Sequence, residues 1–111
     1  MHEAKLIRDP ADLEAALFRL RGADRLALDT EFIRERTYLP QMCLVQLATE
    51  TDCVLVDPLA GFDLAPLHEL LRERSRLKIL HAARQDLEVL LLAGGQVPGP
   101  LFDTQVAAAM L

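Results

Sequence analysis

Asp29 and Glu31 stand two residues apart at the end of the apolar run Arg25-Leu26-Ala27-Leu28. The run reads as a buried strand, and on a strand residues two apart point to the same side. The two carboxylates then aim at one spot, at the edge of what should be a core. Burying one unpaired carboxylate is costly, and a second beside it adds to the cost. A cation is therefore expected there, and an all-oxygen ligand set selects a hard ion, Mg²⁺ or Mn²⁺. Asp86 supplies a further acid. It lies in His81-Ala82-Ala83-Arg84-Gln85-Asp86-Leu87-Glu88-Val89-Leu90 and borders the apolar side formed by Leu87, Leu90 and Leu91. Acids carried on separate elements and meeting at one point suit two-metal phosphoryl transfer, in which one ion activates a water and the other stabilises the leaving oxygen.

The elements that must position these residues are legible in the spacing. Asp9-Pro10 marks a helix start, with Asp9 as N-cap and Pro10 in the first turn. Leu13, Ala16, Leu17 and Leu20 follow at helical spacing until Gly22. A strand is expected from Arg25 to Phe32. Met42 to Ala48 and Cys53 to Val56 read as a hairpin joined by Thr49-Glu50-Thr51-Asp52. A second helix covers Leu64 to Arg74, a short strand Leu77 to Leu80, a third helix Ala83 to Ala93 and a last strand Leu101-Phe102. Arg72, Arg74 and Arg76 fall near the end of the second helix, where cations complement its dipole. Asp103 with Thr104 is expected to N-cap a helix that begins at Thr104 and reaches Leu111 without Gly, Pro or a capping residue. The expectation is one α/β domain over residues 1–111, C-terminally incomplete. It has a mixed sheet of about five strands, three antiparallel and then two parallel, flanked by helices.

Composition narrows the classes. Of 111 residues, 51% are hydrophobic, enough for a real core in one small domain. The net charge of −5 excludes a nucleic-acid binder that works through bulk basicity. No signal peptide is visible at Met1-His2-Glu3-Ala4-Lys5, and no apolar stretch approaches the length of a membrane span. Cys43 and Cys53 lack CxxC spacing and are expected reduced and buried, as in a cytoplasmic protein.

Leu28-Asp29-Thr30-Glu31-Phe32, continuing through Arg36-Thr37-Tyr38-Leu39-Pro40-Gln41 to Leu44-Val45-Gln46-Leu47, resembles the first exonuclease motif of ribonuclease D. His81 through Leu90 resembles that family's second motif, and Pro100-Leu101-Phe102-Asp103-Thr104-Gln105 the segment after it. The resemblance runs in order over nearly the whole chain. It implies an RNase H-like fold and a 3′→5′ exoribonuclease of the DEDD superfamily. Such an enzyme removes nucleotides one at a time from the 3′ ends of single-stranded RNA, tRNA precursors among them. By the same resemblance Asp29, Glu31 and Asp86 bind two Mg²⁺ or Mn²⁺ ions.

The aromatics nearest the acids, Phe32 and Tyr38, are candidates to stack on the terminal base. Arg34 and Arg36 are candidates for phosphate contacts, and Gln41 closes the same substrate-binding segment. His81 and Asp103 are expected to support the acid site from behind. The family's third motif, Tyr-x-x-x-Asp, is absent: the only tyrosine is Tyr38, and Met42 stands four residues on. The resemblance puts that motif beyond Leu111, so the isolated chain is expected to have little or no activity. Apolar surface left uncovered should make it self-associate or leave it marginally stable. In a related subfamily His81 and Asp86 would form the last motif, with Asp57 as an earlier acid. Two other functions fit the same fold: a non-catalytic nucleic-acid-binding scaffold and a DNA-directed 3′→5′ exonuclease.

Overall fold

A computed structural model describes residues 5–33, 41–81, 83–94 and 99–110. Asp9 accepts the N–H of Asp12 at 2.8 Å and starts α1, Pro10–Leu20. Its apolar repeat, Leu13, Ala16, Leu17 and Leu20, is buried. The remaining helices are α2, Ala65–Arg72, α3, Ala83–Gly94, and α4, Thr104–Ala109.

The strands are β1 Leu6–Ile7, β2 Arg25–Ile33, β3 Gln41–Ala48, β4 Cys53–Val56, β5 Leu77–Leu80 and β6 Leu101–Asp103. They form one six-stranded sheet in the order β1-β4-β3-β2-β5-β6. The expected five strands are all present. The sixth, β1, has only two residues and lies parallel to β4, which no local pattern announces. β2, β3 and β4 are antiparallel, whereas β5 joins β2, and β6 joins β5, in parallel. The β3–β4 turn closes through Thr49, whose N–H donates to the Asp52 carbonyl at 2.9 Å and whose hydroxyl accepts the N–H of Asp52 at 3.1 Å. A 3₁₀ turn, Pro58–Ala60, follows β4.

Alternation along β2 sends Leu26, Leu28 and Thr30 inward and leaves Arg25, Ala27, Asp29 and Glu31 exposed. The inward face joins Val45, Leu47, Val54 and Val56 with the buried sides of α1, α2 and α3 in a single cluster. Each fully buried leucine contributes about 1.5–3 kcal/mol relative to exposure. On α3 the buried side is Ala83, Asp86, Val89 and Leu90. Leu91, expected inward, is instead exposed, because the face that meets the sheet is rotated toward Asp86. Cys43 and Cys53 are unpaired and half-buried rather than fully buried.

Of Arg72, Arg74 and Arg76, Arg76 is the one that turns inward. It donates to the carbonyls of Arg21 at 2.8 Å and Ala23 at 3.0 Å, and pairs with Glu73 at 2.7 Å. The end of α1 and the loop beyond α2 are thereby fastened together by a cation on carbonyls.

Candidate active site

β2 outruns its parallel neighbour. β5 pairs with it only from Arg25 to Ala27, whereas β3 follows it to Ile33. Asp29 and Glu31 lie on this extension, side by side on the outward face opposite Gln46 and Leu44. Both are exposed, and among the described residues neither has a hydrogen-bond or ion-pair partner. The expected burial of this pair at a core edge is thus corrected: no described helix covers that face, so water solvates both carboxylates. Immediately after Glu31 the register slips, Glu31 facing Leu44 and Phe32 facing Met42. The bulge turns Met42 rather than Cys43 inward beside Phe32. Bulges re-aim side chains in this way next to functional sites.

Asp86 is the buried acid, 7% exposed. It occupies the first turn of α3 and reaches β2, where its Oδ1 accepts the backbone N–H of Thr30 at 3.1 Å and the Thr30 hydroxyl at 2.5 Å. The third acid therefore joins the first two through the residue between them. Among the described residues no group of three His, Cys, Asp or Glu side chains is close enough to hold a metal ion as it stands. Asp29 and Glu31 still fit a hard cation by their donor set: two unpaired carboxylates on one strand face, open to solvent.

Phe32 is half-buried and packs against the core. Gln41 is exposed, at the rim of a cavity of about 650 Å³ whose walls include Met42, His68, Val89 and Leu92. Arg34, Arg36 and Tyr38 lie outside the described residues. His81 is exposed and its Nδ1 meets the Thr104 hydroxyl at 2.8 Å, while that hydroxyl donates to the Leu80 carbonyl at 3.3 Å. This places His81 at the β5–α4 junction. Asp103 caps α4 as expected, its Oδ1 accepting the N–H of Gln105 at 2.8 Å. Its Oδ2 also accepts the N–H of Ala83 at 2.7 Å, at the start of the helix that carries Asp86. Asp57 caps the 3₁₀ turn through the N–H of Leu59 at 2.9 Å and pairs with Arg8 at 3.2 Å. β3 separates it from the strand of Asp29 and Glu31.

Thr30 is the residue that spacing did not single out. The available signal was a hydroxyl at the third inward position of a strand whose previous two are leucine.

A family model described as 3′-5′ exonuclease matches residues 4–111. Ribonuclease D of Bartonella henselae is 49% identical over 107 residues, which are 96% of this chain and 26% of that protein. The crystal structure of Escherichia coli RNase D, an exoribonuclease involved in structured RNA processing, matches with a TM-score of 0.91 at 42% identity. That match covers 97% of this chain and 29% of the other. Trypanosoma brucei RNase D, solved in complex with RNA U12, matches with a TM-score of 0.79 at 26% identity, over 93% of this chain and 38% of the other. The chain thus spans about a quarter of the length of the curated relative it matches.

Proposed function

The chain belongs to the 3′-5′ exonuclease family, and on that premise we propose that it carries the acid-bearing part of a cytoplasmic exoribonuclease. That enzyme shortens RNA from single-stranded 3′ ends, tRNA precursors among its substrates. One observation carries this reading: Asp29 and Glu31 stand exposed and unpaired on one strand face, and Asp86 is tied to the residue between them. Asp29 and Glu31 hold Mg²⁺ or Mn²⁺, and Asp86 completes the set. When bound, the ions supply polarisation of the attacking water and neutralisation of the leaving 3′ oxygen.

The chain's own side chains bind and orient the RNA. Phe32 and Tyr38 hold the terminal nucleotide, Gln41 contacts it from the start of β3, and Arg34 and Arg36 neutralise backbone phosphates. His81 and Asp103 brace β5 and α3 behind the acids. A fourth acid and a water-orienting tyrosine, from a Tyr-x-x-x-Asp segment that this sequence lacks, complete the reaction. The 111-residue chain alone therefore trims RNA weakly or not at all.

Calorimetric titration of Mn²⁺ into the chain and into Asp29→Asn tests the reading. Binding that disappears in the variant supports it. Equal binding by both proteins overturns it. A second reading, a nucleic-acid-binding scaffold with the same fold, draws on the lack of a preformed three-acid cluster among the described residues. It expects no Mn²⁺ binding by the parent chain.

A further inference from the structure

Thr30 stands between the two exposed acids and faces the other way. Beyond Ala27 the edge of β2 turned toward β5 has no strand partner among the described residues, so its backbone needs acceptors from elsewhere. For the Thr30 N–H that acceptor is a carboxylate, Asp86 Oδ1, and the Thr30 hydroxyl donates to the same oxygen. Oδ2 of Asp86 accepts no bond among the described residues. No fully buried side-chain oxygen among them lacks a partner, so Oδ2 meets solvent. One oxygen is pinned by two donors from a single residue, and the other is left to face outward.

We propose that Thr30 is a positioning residue for Asp86: its hydroxyl sets the direction of the outward oxygen relative to Asp29 and Glu31. The inference rests on the metal reading above and extends it to a residue that touches neither ion nor RNA. The backbone N–H alone leaves the carboxylate free to pivot about one bond, whereas the second donor fixes the plane. Groups that orient metal ligands typically change affinity by about 10–100-fold when removed.

The experiment is a cycle of Mn²⁺ titrations on Thr30→Val, Thr30→Ser, Asp86→Asn and the Thr30→Val/Asp86→Asn double variant, with Asp29→Asn alongside. Valine keeps the shape and the strand preference but removes the donor, and serine restores it. Mn²⁺ affinity should fall about tenfold in Thr30→Val and stay near the parent value in Thr30→Ser. Thr30→Val should cause no further loss in the Asp86→Asn background, since Thr30 acts only through that carboxylate. A change in melting temperature alone would not produce this coupling. Parent-like affinity in Thr30→Val together with weakened Asp86→Asn overturns the inference and leaves the metal reading standing, as do losses that simply add. Undiminished binding by Asp29→Asn, or none by the parent, sinks the metal reading and this inference with it. If the valine variant does not fold, Thr30→Ala carries the same comparison.

Discussion

Asp103 Oδ2 accepts the N–H of Ala83 at 2.7 Å, so a residue at the end of β6 caps the helix that carries Asp86. Its other oxygen caps α4 through Gln105 and Val106. One side chain thus satisfies the first turns of two helices that leave adjacent parallel strands. Removing an N-cap costs about 0.5–2 kcal/mol. Asp103→Ala should therefore lower stability by about 2 kcal/mol in urea denaturation, with Asp103→Asn losing less because it keeps an acceptor oxygen. A loss below that of a single cap would show that α3 finds another partner.

Lys78 is wholly buried on the core face of β5 and donates to the carbonyls of Glu73 at 2.5 Å and Gly99 at 2.8 Å. Burial, with the nearby Arg76 guanidinium, lowers its pKa to about 8, and Glu73 opposes this in part. An unfolded lysine holds its proton to about pH 10.4. Between those values the unfolded chain binds more protons than the folded one, so stability should rise as pH climbs through that window. The neutral amine retains two N–H donors, enough for both carbonyls. Lys78→Met should flatten this rise. At pH 7 it should also cost about 1–3 kcal/mol, because two partly buried carbonyls lose their donor. Thermal melts across that pH range check both statements.

His68 shows the opposite limb. It is buried on α2, and burial followed by the Arg72 guanidinium pushes its pKa below the usual 6.5, against a smaller pull from Asp63. The folded chain therefore resists protonation that the unfolded chain accepts. Stability should fall as pH drops below about 6.5, the ordinary histidine value. His68→Leu should soften that acid limb, as read from melting temperature against pH.

Gly94 closes α3 against the same ring: a Cβ there would collide with Nδ1 and Cγ of His68. Overpacking of this kind costs about 1–3 kcal/mol. Gly94→Ala should lose that much, and the loss should shrink when His68 is also truncated to alanine. Additive losses would mean that the glycine matters for the helix end rather than for the ring.

A groove of about 820 Å³ between α3 and α4 is walled by Leu87, Leu91, Phe102, Val106 and Met110. All of these but Leu87 are exposed to a large degree. An apolar patch of this kind favours association. Sedimentation should show oligomers of the 111-residue chain at high concentration, and Val106→Glu should shift the distribution toward monomer. A monodisperse parent across the concentration range would contradict this.

Periodicity and caps alone determined most of the elements. Asp9-Pro10, the leucines of α1 and α2, the β3–β4 turn and the common outward side of Asp29 and Glu31 are local facts, each set by neighbours a few residues away. Two-residue β1 carries no such pattern, since a strand that short exists only because β4 offers it a partner. The same limit applies to the acids. Asp29 and Glu31 were expected at a core edge and lie on an open face, because an apolar run looks alike whether one or both of its faces are covered. The direction of Asp86 and the capping of α3 by Asp103 were decided by strand order, which brings residues 56 and 20 positions apart within hydrogen-bond reach. Lys78 was buried by the same cause: the carbonyls that accept its ammonium group come together only when α2, β5 and the approach to β6 have packed. Local chemistry chose the residues at the site, and non-local packing chose which of them face water and which face one another.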